Sequence, residues 1–328
     1  MASLKRTRAS FEKIPLTLRD FQKKRNKVLL WHDKGGLGDV IMQRMIFRDF
    51  KKLCPEMDLI FACLPEYIEA VKDHPDLSQV VDSRKVNTDE YCIHYNTCVS
   101  ISDRYEHIHA PFCPEHRADI WAKYCGVDVS DHDMCFRLEE KVVARCRDRL
   151  ETLRKHKSGP IIVFAPISKM AVKTLLPHQI EWIKEAAGNA TLVVLHNREA
   201  PQFKDLGIPV ISDASVTEWL CYLQACDGVI AVDTAAFHAA GGLGKPLMGI
   251  YTFADGKAYG KYFDFVLVQK HRDNGDWYCG PCFKFAECPK SNKPLKPCLT
   301  DLTKEEIQAG VREMFSRWFN GKTRISLA

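Results

Sequence analysis

DKGGLGDVIMQRMIF, residues 33–47, sets three glycines and an aspartate between two apolar runs. Ahead of it VLLW (28–31) reads as a short buried strand. Behind it Val40, Ile41, Met45, Ile46, Phe47, Phe50 and Leu53 share one broad helical face. A glycine-rich turn from strand to helix brings backbone close to a ligand. It also starts a strand–helix alternation, the signature of a parallel sheet with covering helices.

The alternation continues outward from this turn. DLIFACL (58–64) and QVVDS (79–83) read as strands around a helical PEYIEAVKDHP (65–75). Residues 84–137 are less regular and rich in His, Asp, Cys and Tyr, a composition suited to lining a pocket. A charged helix over 139–155 then runs into KHKSGP, a Lys/Ser/Gly/Pro cluster that reads as a linker. Beyond it the rhythm restarts. PIIVFAP, ATLVVLH, IPVIS, GVIAVD, KPLMGIY and DFVLVQ are strands, with helices over 177–188, 216–225 and from Thr234 onward. Two β/α halves in tandem invite a ligand cleft between them, beyond the carboxyl ends of their strands. A last helix opens on the capping box Thr303–Glu306 and carries Ile307, Val311, Met314, Phe315, Trp318 and Phe319 on one face, so it packs back on the body.

Composition narrows the class. The 328 residues are 46% hydrophobic and 27% charged, values of a globular chain rather than a disordered one. No apolar run approaches the roughly 20 residues of a membrane-spanning helix. The opening MASLKRTRAS has charge but no apolar core, so no secretory signal is expected there. Fourteen cysteines in such a chain point to a reducing, cytoplasmic setting. The net charge of +5 is concentrated at the start, where residues 1–27 hold nine Lys or Arg against Glu12 and Asp20. Such a basic arm suits an anionic membrane surface, a nucleic acid or an acidic partner, and equally a solvated tail.

Three stretches can carry chemistry. In GGLGD, the spacing after Gly36 lacks the last small residue of a dinucleotide fingerprint, and GGLGKP (241–246) lacks the spacing and hydroxyl of a P-loop. Asp39 suits either a helix N-cap or, at a cleft mouth beside Gly35, Gly36 and Gly38, a general base toward a hydroxyl. In GVIAVDTAAFHAAGGLGKP a buried strand ends at Asp233, and Thr234, Ala235 and Ala236 open a helix. Free N–H groups at such a terminus receive an anion such as a diphosphate. His238, one turn in, suits either the same anion or a satisfied place in the core. In APISKMAVK, Ser168, Lys169 and Lys173 follow a strand end, where lysines neutralise a leaving phosphate or simply face solvent.

Together these three stretches resemble glycosyltransferase family 9, the heptosyltransferase family of GT-B fold typified by ADP-heptose:lipopolysaccharide heptosyltransferases. The resemblance runs from about Val28 to Val311 and is most specific over Val232–Pro246. It implies two Rossmann-like parallel-sheet α/β domains facing across a cleft: an arm over 1–27, an acceptor domain over 28–157, a nucleotide-sugar domain over 158–302, and the helix 303–320. It implies Asp39 as catalytic base, Lys173 against donor phosphate and sugar, and Ser168 at the diphosphate. Asp233 would lie near the donor sugar, with Thr234, Ala235 and His238 in the diphosphate turn and Glu199 near the nucleoside ribose. The chain departs from the family at Met45 (usually proline), at Leu175 and Leu176 (where a tryptophan is usual) and at Ala235 (usually glycine). The expected reaction is inverting transfer from a nucleotide-diphosphate sugar, an ADP-sugar favoured, to a hydroxyl of a glycan, protein or modified nucleobase. No divalent metal is required.

DWYCGPCFKFAECPKSNKPLKPCL sets Cys279, Cys282, Cys288 and Cys298 in a C-x2-C-x5-C-x9-C array within the loop 277–298. Four thiolates suit a structural zinc or iron, with free thiols the other reading. Some protein-directed family members resemble this array and bind iron. A different function class also stands at this point: a nucleic-acid-binding or DNA-modifying protein using the basic arm and the four-cysteine knuckle.

Overall fold

The computed structural model describes residues 26–111, 113–154, 158–196, 200–270, 281–283, 288, 291–293 and 295–319. Of the basic arm over 1–27, residues 1–25 therefore lie outside the described residues, and Lys27 already belongs to the first strand.

Two all-parallel sheets form the body. The front sheet orders its strands β3-β2-β1-β4, from β1 (Lys27–Trp31), β2 (Asp58–Cys63), β3 (Gln79–Asp82) and β4 (Ile93–Asn96). Val28, Leu29 and Leu30 of β1 are buried, as a central strand covered on both faces requires, and Leu29 sits opposite Ile60 and His94. The rear sheet orders β10-β9-β8-β5-β6-β7, from β5 (Ile161–Ala165), β6 (Thr191–Leu195), β7 (Val210–Ile211), β8 (Gly228–Val232), β9 (Leu247–Tyr251) and β10 (Val266–Gln269). Every position of β6, β8 and β9 is buried.

Helix α1 (Leu37–Leu53) follows β1 at once, and its Val40, Ile41, Met45, Ile46, Phe47 and Phe50 are all buried in the core. Lys51 and Lys52 close its last turn, where positive charge suits the helix dipole. The expected helix over 65–75 is instead a 3-10 segment, Pro65–Ala70. The chain leaves the helix at Val71, φ −135°, and Pro75 further disfavours helical backbone at His74. Then come α2 (Val99–His109), α3 (Arg117–Cys125) and α4 (Glu140–Leu153). Although it precedes the linker, α4 lies along α6 (Val216–Ala225) of the rear half. Arg149 pairs with Asp213 there at 2.9 Å.

In the rear half α5 (Pro177–Ala187), α6, α7 (Ala235–Gly242), α8 (Gly256–Tyr259) and α9 (Pro297–Thr300) follow. The last helix, α10 (Lys304–Trp318), opens on the expected capping box: Glu306 N–H donates to Thr303 Oγ1, and Thr303 N–H donates to Glu306 Oε2. It buries Ile307, Val311 and Met314 against α5, β9 and β10. Gly310 lies so close to Val268 that no side chain fits between helix and strand. No helix among the described residues is long and apolar enough to cross a membrane.

Candidate active site

The three glycines of the first turn do three different jobs. Gly35 has φ +129°, a backbone that side chains rarely adopt, and a Cβ there would lie 2.7 Å from His32 Nε2 and 3.0 Å from Asp39 Oδ2. Gly36 is the N-cap of α1, and its N–H donates to Asp39 Oδ2 at 2.8 Å. Gly38 faces the rear half, where a Cβ would meet His238 Cδ2 at 3.1 Å and Ala235 N at 3.5 Å. Asp39 is thus the third residue of α1 rather than its cap, which corrects the N-cap reading. The glycines before it carry the turn, leaving its carboxylate to fold back over the cleft side.

The other oxygen, Asp39 Oδ1, accepts from Arg117 Nη1 at 2.6 Å. Arg117 opens α3, and its remaining donors are spoken for. Nε and Nη2 reach the two oxygens of Glu106 at 2.7 Å each, and Nη2 also reaches Asp103 at 2.6 Å. The guanidinium lies 5.0 Å from the centre of the Tyr259 ring. Burial pushes the Asp39 carboxyl up, but the Arg117 charge and the Gly36 N–H outweigh it and hold the group below the usual aspartate range. Glu106 moves the other way, because burial outweighs its pairing with Arg117. Beside them His32 donates from Nδ1 to the Thr97 carbonyl at 2.7 Å, and burial lowers its pKa. Sequence reading missed Arg117, Glu106 and Asp103. The one signal was the His/Asp-rich composition of 84–137, which names no residue.

Across the cleft β8 ends at Val232, and Thr234 is the N-cap of α7. Thr234 Oγ1 donates back to the Val232 carbonyl at 3.2 Å, which leaves the first-turn N–H groups to an outside anion. Ala235 and Ala236 keep the approach to them open. Lys173, in a 3-10 turn after β5, reaches Asp233 Oδ2 at 2.5 Å and lies 5.0 Å from the centre of the Phe253 ring. His238 Nε2 stands 4.0 Å from Asp233 Oδ1, and burial lowers its pKa to about 4, so it is neutral at neutral pH. Among the described residues, His238 Nδ1 and the Tyr251 hydroxyl are buried without a hydrogen-bond partner. Ser168 serves its own loop: its N–H donates to Thr174 Oγ1 at 3.0 Å, while Met170 N–H reaches Ser168 Oγ at 3.4 Å. Glu199 lies outside the described residues.

No family model matches the sequence, and no curated protein matches it. Solved structures do. A glycosyltransferase family 9 protein from Veillonella parvula superposes with a TM-score of 0.66 at 13% identity, over 90% of this chain and 98% of that one. The chain has the GT-B fold of the family 9 glycosyltransferases. E. coli heptosyltransferase WaaC, solved with ADP-2-deoxy-2-fluoro heptose, matches at TM-score 0.55 and 15% identity, over 88% and 99% of the two chains. The dodecameric iron-containing heptosyltransferase TibC of E. coli, solved with ADP-D-beta-D-heptose, matches at 0.62 and 13%, over 90% and 76%.

Within this GT-B frame Asp39, Lys173, Asp233, Thr234, Ala235 and His238 gather where the two halves meet. Of the cysteine array, Cys279 lies outside the described residues, while Cys282 and Cys298 pack half-buried against the core. Among the described residues, a group of possible metal ligands within 4.8 Å of one another is His74, Asp76 and Cys135, which the sequence did not suggest. Arg48 occupies that spot, with Nη2 2.6 Å from Cys135 Sγ and Nε 3.9 Å from Asp76 Oδ2, so a cation is already in place.

Proposed function

We propose that the chain is an inverting glycosyltransferase that moves a sugar from a nucleoside-diphosphate sugar, ADP-heptose the favoured donor, to an acceptor hydroxyl. The observation that carries this reading is the approach of two turns from opposite halves. Gly38, next to Asp39, lies against Ala235 and His238 at the opening of α7. A diphosphate seated on the α7 N–H groups would therefore present its sugar to the Asp39 carboxylate.

In this reading Asp39 accepts the proton of the acceptor hydroxyl as the oxygen attacks the anomeric carbon. The bond to the diphosphate oxygen breaks on the opposite face, so configuration inverts. The transition state is oxocarbenium-like, so catalysis rests on stabilising the departing diphosphate. Lys173 and the α7 N-terminus offer that positive charge, and no divalent metal is needed. WaaC and TibC, solved with ADP-heptoses, favour adenine and heptose. Cys279, Cys282, Cys288 and Cys298 offer soft donors for iron or zinc, which would order their loop and take no part in transfer.

Two measurements test this. ADP-heptose and ADP should raise the melting temperature of the chain, because a ligand that binds only the folded state stabilises it by mass action. Asp39→Asn should keep that shift and lose sugar transfer. Failure of any nucleotide sugar to shift the melt, or full transfer by Asp39→Asn, overturns the reading.

A further inference from the structure

We propose that Arg117 is a positioning residue that keeps the buried Asp39 carboxylate ionised and fixes its orientation. The inference rests on the reading of Asp39 as the base. Its physical problem is plain: a carboxylate removed from water takes up a proton, and a protonated base accepts nothing.

The groups that face Asp39 from the surrounding elements decide who solves it. His32 at the end of β1 and His238 on α7 are both pushed below the ordinary histidine range by burial, so they bring no charge at neutral pH. Tyr259 on α8 is pushed up by burial and stays a neutral phenol. Asp103 and Glu106 on α2 reach Arg117 itself. Lys173 is paired with Asp233. Among the described residues, that leaves the Arg117 guanidinium, at 2.6 Å, as the cation acting on Asp39.

The geometry also explains why Arg117 stays. Glu106 takes two of its N–H groups at 2.7 Å each, and this fork is far harder to misalign than a single contact. Nη1 is then left pointing at Oδ1 while Gly36 N–H holds Oδ2. Both oxygens are thus oriented before any acceptor arrives. Lysine could supply the charge but not the fork.

The test is a direct titration of the full chain, with no substrate needed. Aspartate carboxyl carbons are labelled with 13C, and Asp39→Asn assigns the Asp39 signal. In the unsubstituted chain that signal should stay in its ionised position throughout about pH 5 to 8. In Arg117→Met it should titrate within that window. In Arg117→Lys it should stay ionised, while ADP-heptose turnover falls at least tenfold at unchanged KM for the donor. An Asp39 that titrates inside the window with Arg117 present overturns the inference, even if Arg117→Met does not fold. So does an Asp39 that stays ionised in folded Arg117→Met. If Asp39→Asn retains transfer, the functional reading falls instead, and the two failures are told apart.

Discussion

Gly38 of the front half and Ala235 of the rear half face each other across a gap that a methyl group enters only if the His238 ring gives way. A Cβ on Gly38 would sit 3.5 Å from Ala235 N and 3.1 Å from the His238 ring. This approach sets the width of the gap between the carboxylate turn and the helix terminus. Gly38→Leu should therefore weaken ADP binding at least tenfold while the fold survives. Calorimetric titration with ADP, alongside a thermal melt, checks it; unchanged affinity in a folded variant would show that the anion sits elsewhere.

Lys173 faces Asp233 at 2.5 Å and is the lysine we propose meets the leaving diphosphate. Removing one such charge lowers turnover by roughly a hundredfold or more in comparable sites. Lys173→Ala should show that loss in kcat for ADP-heptose, read by ADP release. A loss confined to KM would place the lysine in ground-state binding instead.

Arg44 is a second buried arginine with a structural task. It donates to the carbonyls of Met134, Ala70 and Cys135 at 2.7, 2.8 and 2.9 Å, pairs with Asp73 at 2.6 Å, and stacks 4.1 Å from the centre of the Phe136 ring. Two segments of the front half, 70–73 and 134–136, are tied to α1 through this one side chain. Arg44→Ala strands those acceptors and the Asp73 charge, so urea denaturation should show a loss of about 3–5 kcal/mol. A loss below about 1 kcal/mol would mean the loops hold by packing alone.

Buried histidines make stability depend on pH. Burial lowers His74 and His116 to about 3 and His238 to about 4, from an ordinary 6.5. A histidine depressed in the folded state binds its proton more readily when unfolded. Stability is then whole above pH 6.5 and falls as pH drops through it, until the folded pKa is reached. Each such histidine contributes a slope approaching 1.4 kcal/mol per pH unit, about the value of one proton. Urea midpoints at steps from about pH 7.5 to 5 should fall steadily, and less steeply in His74→Gln. A flat profile would mean these side chains are hydrated in solution.

Local patterns carried most of the architecture. β1, β2 and β6 are short apolar runs, and the stripe on 304–318 with its Thr303–Glu306 box marked a helix that packs back on the body. These readings worked because periodicity and capping are settled by neighbours within a turn or two. The segment 65–75 departs on the same scale, since its backbone leaves the helix at Val71. Asp39 was legible as a residue of interest, but its place within the helix turned on which glycine took the cap.

What the sequence by itself determined was the order of most strands and helices outside 84–137, where β4, α2 and α3 went unread, the two glycine and small-residue turns, and the identity of the charged groups beside them. The tertiary structure alone decided that Arg117, 78 residues from Asp39, grips its carboxylate, and that Gly38 meets Ala235 across the cleft. Helix and strand signals repeat with the pitch of the chain. An ion pair between distant segments has no period at all, and comes into being only when α3 packs against α1 and brings its ends together.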